Sequence, residues 1–179
     1  YCDTHRIPLI EDAAQSQGAM HDKVPSGAMG DASVFSFDPM KNMPSFGGGG
    51  MVLTDSKEVY DSVVSLRRHG ISGKDKYGYN SLISEDHANQ LILLLGKFDR
   101  LQSMRAKVCK RYEKNIPEVQ MICAGPGTKS SHHKLVILSD RRDELKAYLA
   151  TKGVETKIHY KKTLDSHNVG KYPNAPIDQ

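Results

Sequence analysis

An α/β fold in two lobes is what this sequence predicts, and three observations predict it. Residues 7–10 (IPLI) are a short apolar run ending at Glu11 and Asp12, the pattern of a strand covered on both faces of a parallel sheet. A second run, Val34, Phe35, Ser36 and Phe37, alternates like a strand, stops at Pro39, and leads to Lys41 and then to four glycines at 47–50. From Ser84 the period changes. Ala88, Leu91, Ile92, Leu95 and Phe98 recur at helical spacing, and the helix is expected to continue through Val108 to Tyr112 and bridge the lobes.

Bulk properties narrow the function classes. With 179 residues, 38% hydrophobic content and a mean hydropathy of -0.52, the chain can bury one sizeable core or two small ones and reads as soluble. The longest apolar run, 91–95, falls far short of the ~18 residues of a membrane span. The net charge of +4 is modest and its lysines and arginines are scattered, without the basic stripe and aromatic platforms of a nucleic-acid binder. Cys2, Cys109 and Cys123 are odd in number and lack CxxC spacing, which argues against a disulfide framework or zinc ribbon and for a reducing cytoplasm. No signal peptide is present, and the opening on Tyr1 suggests a piece of a longer chain.

In chain order, residues 18–30 hold three glycines and Pro25 and read as a surface loop. The glycines at 47–50 lack the Lys-Ser/Thr of a P-loop and the spacing of a dinucleotide fingerprint, so they are expected to allow unusual dihedrals and close approach beside Lys41. Residues 50–54 continue as a strand. Asp55 and Ser56 then cap a helix with Val59, Tyr60, Val63 and Leu66 inside and Gly70 at its C′ position. Arg67, Arg68 and His69 suit the dipole of its last turn. Residues 77–81 form a loop before the helix at Ser84, and Pro117 ends that helix, with Cys109 as a core thiol. In the second lobe, strands are expected at 132–138 and 154–160. Between them Ser139 and Asp140 cap a helix with Leu145, Tyr148 and Leu149 inside and Gly153 after it. His132, His133, His159 and His167 have no carboxylate or cysteine at ligand spacing, so no metal is expected.

The chemistry lies at the strand ends. Lys41 and Asp12 each follow an apolar strand, at the carboxyl ends where open α/β sheets bind ligands. A lysine able to form a Schiff base and an acid able to partner a pyridinium nitrogen are what pyridoxal 5′-phosphate (PLP) requires of its protein. Asp12 is equally readable as a helix N-cap, and Ser36 as a buried serine bonded to backbone.

The ordered set EDAAQ (11–15), FSFDPMKN (35–42), GGMVLT (49–54), LRRHG (66–70) and GYNS (78–81) resembles the DegT/DnrJ/EryC1/StrS family of PLP-dependent sugar aminotransferases. The likeness runs from residue 7 to residue 160. It implies a three-layer αβα fold of PLP-transferase type I, with a partial large domain over 1–108 built on a mixed, mostly parallel sheet. A smaller α+β domain follows over 109–179. By the same resemblance Lys41 is catalytic and carries PLP, Asp12 faces its ring nitrogen, Gln15 its ring oxygen and Ser36 its phosphate. Asn80 reaches across a homodimer interface to the partner's phosphate, and His159 and Tyr160 line the substrate rim. The implied substrates are a nucleotide-linked keto-sugar and glutamate or glutamine as amino donor. Residues 1–179 by themselves are expected to bind PLP poorly and to be inactive.

Two departures from the family pattern qualify the resemblance. Leu82 stands where the family has an arginine, and Thr163, Leu164 and Asp165 replace Pro-Leu-His. Lys41 argues against the family's dehydratases, which carry histidine there. A non-catalytic or regulatory relative that keeps the fold without turnover is the alternative, and Leu82 favours it slightly.

Overall fold

The computed structural model describes residues 1–71, 77–163 and 166. They fall into two compact units, Tyr1–Ile137 and Leu138–Gln179. The first unit runs on past position 108, its later residues pairing back onto the segment that follows the first strand.

The first unit opens with a one-turn helix, α1 (Cys2–His5), and reaches β1 (Ile10–Asp12). β1 begins later than the apolar run. Pro8 has no N–H to donate, and Leu9 is held mainly by Asp31, its N–H donating to the Asp31 carboxylate at 2.7 Å and its carbonyl accepting from the Asp31 N–H at 2.9 Å and from the Ala32 N–H at 3.4 Å. Nor is the strand covered on both faces, since Ile10 is 70% exposed.

A small hairpin, β2 (Met20–His21) and β3 (Val24–Pro25), interrupts the expected loop at 18–30. Asp22 and Lys23 at its tip both have positive φ, 45° and 69°, the backbone a tight two-residue hairpin requires. β4 (Ala32–Ser36) lies between β1, with which it is parallel, and β5 (Gly50–Thr54), with which it is antiparallel, so the sheet is mixed.

Glu11 organises one face of this sheet. Its carboxylate accepts from Ser26 Oγ (3.0 Å), from the Gly27 N–H (2.8 and 2.9 Å) and from the Met29 N–H (3.2 Å), while Ser33 Oγ donates to the Gly27 carbonyl at 2.9 Å. Gly27, at φ 96°, has the Phe35 ring where a side chain would begin. Glu11→Gln in the complete protein puts an NH2 against these donors. The expected result is a loss of about 1.5–3 kcal/mol, read from the chemical denaturation midpoint; an unchanged midpoint would mean that the cradle contributes nothing.

Two helices follow local signals closely at their starts. Ser56 caps α2 (Lys57–Leu66) by accepting from the Val59 N–H at 3.3 Å, and Ser84 caps α3 (Glu85–Leu95) by accepting from the His87 N–H at 3.4 Å. Val59, Val63 and Leu66 are half-buried, but Tyr60 is exposed. α2 ends at Leu66, so Arg68 and His69 follow the helix, and Gly70 lies beyond C′ at φ 75° with its N–H on the Ser65 carbonyl.

The long helix expected from Ser84 to Tyr112 is two helices. α3 stops before Gly96 and α4 (Phe98–Asn115) starts after Lys97. Glycine is about 1 kcal/mol poorer than alanine inside a helix. The Lys97 N–H turns to the Leu94 carbonyl three residues back, tightening the last turn. Leu91 is buried against Phe37 and Met43, with Phe35, Ile83 and Phe98 packed around them, while Ile92 and Leu95 face outward. Burial pushes the Cys109 thiol up from its ordinary pKa, with Glu113 adding to the shift, as suits a core thiol.

β6 (Thr128–Lys129) pairs antiparallel with β2, joining residues after α4 to the loop after β1. The strand expected at 132–138 is absent: φ is 48° at His132, which breaks an extended run, and only Ile137 makes a bridge, with Met121. In the second unit α5 (Arg142–Thr151) half-buries Leu145 and Leu149 and exposes Tyr148. Its cap differs from expectation, with Arg141 at the N-cap position and Ser139 Oγ accepting from the Arg141 N–H at 3.2 Å. Residues 154–160 are not a strand, because no strand of that unit lies beside them among the described residues to complete a ladder.

Candidate functional site

The register of β1 on β4 sets the site. Asp12 pairs with Val34, and the ladder runs on through the Ala13 N–H to the Val34 carbonyl, so both parallel strands end on the same side of the sheet. Side chains of paired residues share a face, and every second residue returns to it. Asp12 and Ser36 therefore share one face at the carboxyl end of the parallel pair.

Asp12 caps no helix, because turns follow it. Its Oδ1 accepts from the Ala14 N–H at 3.0 Å, and Oδ2 takes part in no hydrogen bond among the described residues. Ser36 is half-buried, and its Oγ accepts from the Asp38 N–H at 3.3 Å, which leaves the hydroxyl proton available to donate. Asp38 carries the next turn: Oδ1 accepts from the Met40 N–H at 2.8 Å and its carbonyl from the Lys41 N–H at 2.9 Å. Two consecutive turns thus deliver Lys41 five residues after Ser36. Lys41 is half-buried, and its ammonium makes no hydrogen bond or ion pair among the described residues.

The glycine run provides the expected close approach but not the unusual dihedrals. None of Gly47, Gly48, Gly49 and Gly50 has positive φ. They are needed for space: a Cβ at Gly47 would lie 2.8 Å from the His87 ring, at Gly49 3.1 Å from Ile83, and at Gly50 2.9 Å from the Phe35 carbonyl, while Gly48 is open. Ser45 ties the loop shut, its Oγ donating toward the Phe37 and Gly47 carbonyls.

Among the described residues, no hydrogen bond joins the remaining candidates to this group. Gln15 is exposed, and its carbonyl accepts from Ser131 Oγ at 3.0 Å. Asn80 is exposed and bridges through backbone to Arg68 after α2. Leu82 is exposed as well. His159 and Tyr160 are exposed in the second unit, while Leu164, Asp165 and His167 lie outside the described residues. Among the described residues no group of three or more His, Cys, Asp or Glu side chains could hold a metal ion, and no helix is long and apolar enough to cross a membrane.

A buried amide cluster beside Lys41 was not legible in the sequence. Asn42, 5% exposed, donates from Nδ2 to the Ser131 carbonyl (2.7 Å) and to Gln102 Oε1 (3.3 Å), with the Gln17 carbonyl at 3.5 Å. Gln17 Nε2 donates to the Ser36 carbonyl at 2.6 Å, and its Oε1 accepts from the Met43 N–H at 2.9 Å. Gln102 Nε2 donates to the Gln17 carbonyl at 2.9 Å. The one available signal was position: Gln102 stands four residues after Phe98 and seven before Cys109, on the buried stripe of α4.

A family model described as the DegT/DnrJ/EryC1/StrS aminotransferase family matches residues 1–175. A pleiotropic regulatory protein of Geobacillus stearothermophilus is 34% identical over 166 residues, which are 87% of this chain and 44% of that protein. The dTDP-3-amino-3,4,6-trideoxy-alpha-D-glucose transaminase of Streptomyces venezuelae is 32% identical over 164 residues, 88% of this chain and 43% of that one. A crystal structure of an aminotransferase of the same family from Brucella abortus superposes with a TM-score of 0.87 at 30% identity, covering 96% of this chain and 47% of that one. The chain thus spans under half the length of these relatives and shares the fold of that aminotransferase. With its motifs in order and the family model matched over nearly its whole length, the chain belongs to the DegT/DnrJ/EryC1/StrS aminotransferase family.

Proposed function

We propose that the complete protein is a PLP-dependent aminotransferase that moves an amino group from glutamate or glutamine to a nucleotide-linked keto-sugar. The observation that carries this is the donor set at the ends of two neighbouring parallel strands: among the described residues, a carboxylate with a free oxygen (Asp12), a hydroxyl with a proton to give (Ser36), and an amine without a hydrogen bond or ion pair on the following loop (Lys41). These are the groups that fit PLP. When bound, PLP supplies an electron-accepting ring that stabilises negative charge at the substrate carbon.

In this reading Lys41 Nζ would hold the cofactor, and the same amine would carry the proton to and from the substrate carbon. Asp12 Oδ2 would hold the ring nitrogen's proton while its Oδ1 stays in the turn. Ser36 Oγ would donate to the phosphate, and Gln15 would serve the ring oxygen. Asn80 serves the partner subunit's phosphate in a homodimer, and His159 and Tyr160 line the substrate rim. We further propose the division into a large domain over 1–108 and a small one over 109–179, a cytoplasmic location, and no membrane or nucleic-acid partner.

A second reading, a regulatory relative without turnover, is favoured by the name of the Geobacillus protein and by Leu82 in place of the family arginine. Purified complete protein separates the two. The aminotransferase reading expects a visible absorption band with PLP and, in a screen of nucleotide keto-sugars by mass, replacement of a carbonyl oxygen by an amino group. Cofactor binding with no product from any sugar would transfer the case to the regulatory reading.

A further inference from the structure

Lys41 and Asp12 sit on separate stretches of chain, and proton transfer requires their relative position to be held. Asp12 is anchored by the β-ladder, whereas Lys41 stands on a loop outside any strand or helix. The side chain that follows it, Asn42, turns inward and bonds to three separate segments. These are the turn after β1, through the Gln17 carbonyl; α4, through Gln102; and the segment after β6, through the Ser131 carbonyl and His133. An amide oxygen can only accept, so His133 Nδ1, 3.2 Å from Asn42 Oδ1, is the donor there.

The cluster closes on both sides of the site. Gln17, from the turn that follows Asp12, bonds to the Ser36 carbonyl and the Met43 N–H, and Ser131 Oγ bonds to the Gln15 carbonyl. Gln17, Asn42, Gln102 and Ser131 are each less than 10% exposed. Polar groups buried this deeply are costly unless satisfied, and a satisfied network rigidifies what it joins.

We propose that Asn42 is the positioning residue for Lys41: its carboxamide, with Gln17 and Gln102, locks the 38–45 loop to the turn after β1 and so fixes Lys41 relative to Asp12. The proposal rests on Lys41 being the cofactor-bearing lysine. The residue type is demanding, because Asn42 must donate toward two or three oxygens and accept from a fourth group. Asn42→Asp keeps the shape but faces a carboxylate toward those oxygens.

The test uses the complete protein. In Asn42→Asp, amide hydrogen exchange at Met43 and Ser45 should quicken by about ten- to a hundredfold. α2 and α5 should keep their rates. In cofactor-free protein, acylation of Lys41 should quicken while that of Lys57 on α2 stays constant. Turnover should fall by about a hundredfold, the cost of a misplacement near 1 Å, with KM changing far less. Unchanged exchange in the loop, or uniform loosening of the whole chain, overturns the proposal. Should Asn42→Asp fail to fold, Gln102→Leu is read in the same way. The unmodified protein decides as well, since Met43 and Ser45 amides exchanging as fast as the open Gly48 overturn it. A borohydride-reduced adduct on another lysine overturns the function reading and this inference together; Lys41 labelled but indifferent to Asn42 overturns the inference alone.

Discussion

Lys41→Ala in the complete protein is expected to remove transamination, by at least about a hundred- to ten-thousandfold, the range that a positioned proton-transfer group alone supplies. The loss should be larger still because the same amine holds the cofactor. Lys41 is the residue to choose among the 25 basic residues for reasons of geometry. It follows a strand of the parallel pair through two tight turns, is half-buried, and among the described residues has no ion pair to hold its ammonium elsewhere. Contrast Lys57, whose ammonium is committed to Asp61 at 2.5 Å on an exposed helix. Borohydride reduction of the PLP-loaded protein followed by peptide mapping should place the label on Lys41. Label on another lysine, with Lys41→Ala turning over normally, would refute the assignment.

Asp12→Asn is expected to keep the cofactor and lose most turnover, by about 2.7–4 kcal/mol in analogy with other groups that stabilise developing charge, or about a hundred- to a thousandfold. The structure makes this substitution informative. Asp12 Oδ1 accepts from the Ala14 N–H, and an asparagine oxygen can do the same, so the turn survives. What changes is the other atom of the group, an NH2 in place of Oδ2, which cannot hold a proton on a ring nitrogen. Steady-state rates with bound-cofactor absorbance as control separate the two roles. Near-normal turnover would return Asp12 to a turn-forming residue.

The two outcomes bear on how much of the site could be read in advance. Asp12, Ser36 and Lys41 were legible as strand-end residues because strand exits have local signs: an apolar run, then an acid, or a proline, then polar residues. That Asp12 and Ser36 share a face was not legible, because it depends on Asp12 pairing with Val34, and a slip by one residue would send them to opposite faces. The glycines at 47–50 were legible as places of close approach, but the unusual dihedrals expected of them do not occur and the groups they admit were not legible. They admit the His87 ring, Ile83 and the Phe35 carbonyl, neighbours that lie far away in sequence or across the sheet.

By itself the sequence determined the starts of α2 and α3, the turns at Asp12 and Asp38, and the strand residues 34–36 of β4. Ser56 and Ser84 cap with hydroxyls three residues from their targets, and Asp12 and Asp38 form turns with N–H groups two residues on. Such interactions close short loops and cost little chain entropy, so local residue types suffice to specify them. Tertiary structure alone decided the rest: the exposure of Ile10, Ile92 and Leu95, the absence of strands at 132–138 and 154–160, and the burial of Gln17, Asn42 and Gln102. An apolar residue is buried only if another segment arrives to cover it, and an extended run becomes a strand only if a ladder partner lies alongside. A polar amide enters a core only where oxygens and N–H groups from distant segments converge to satisfy it, as they do around Asn42.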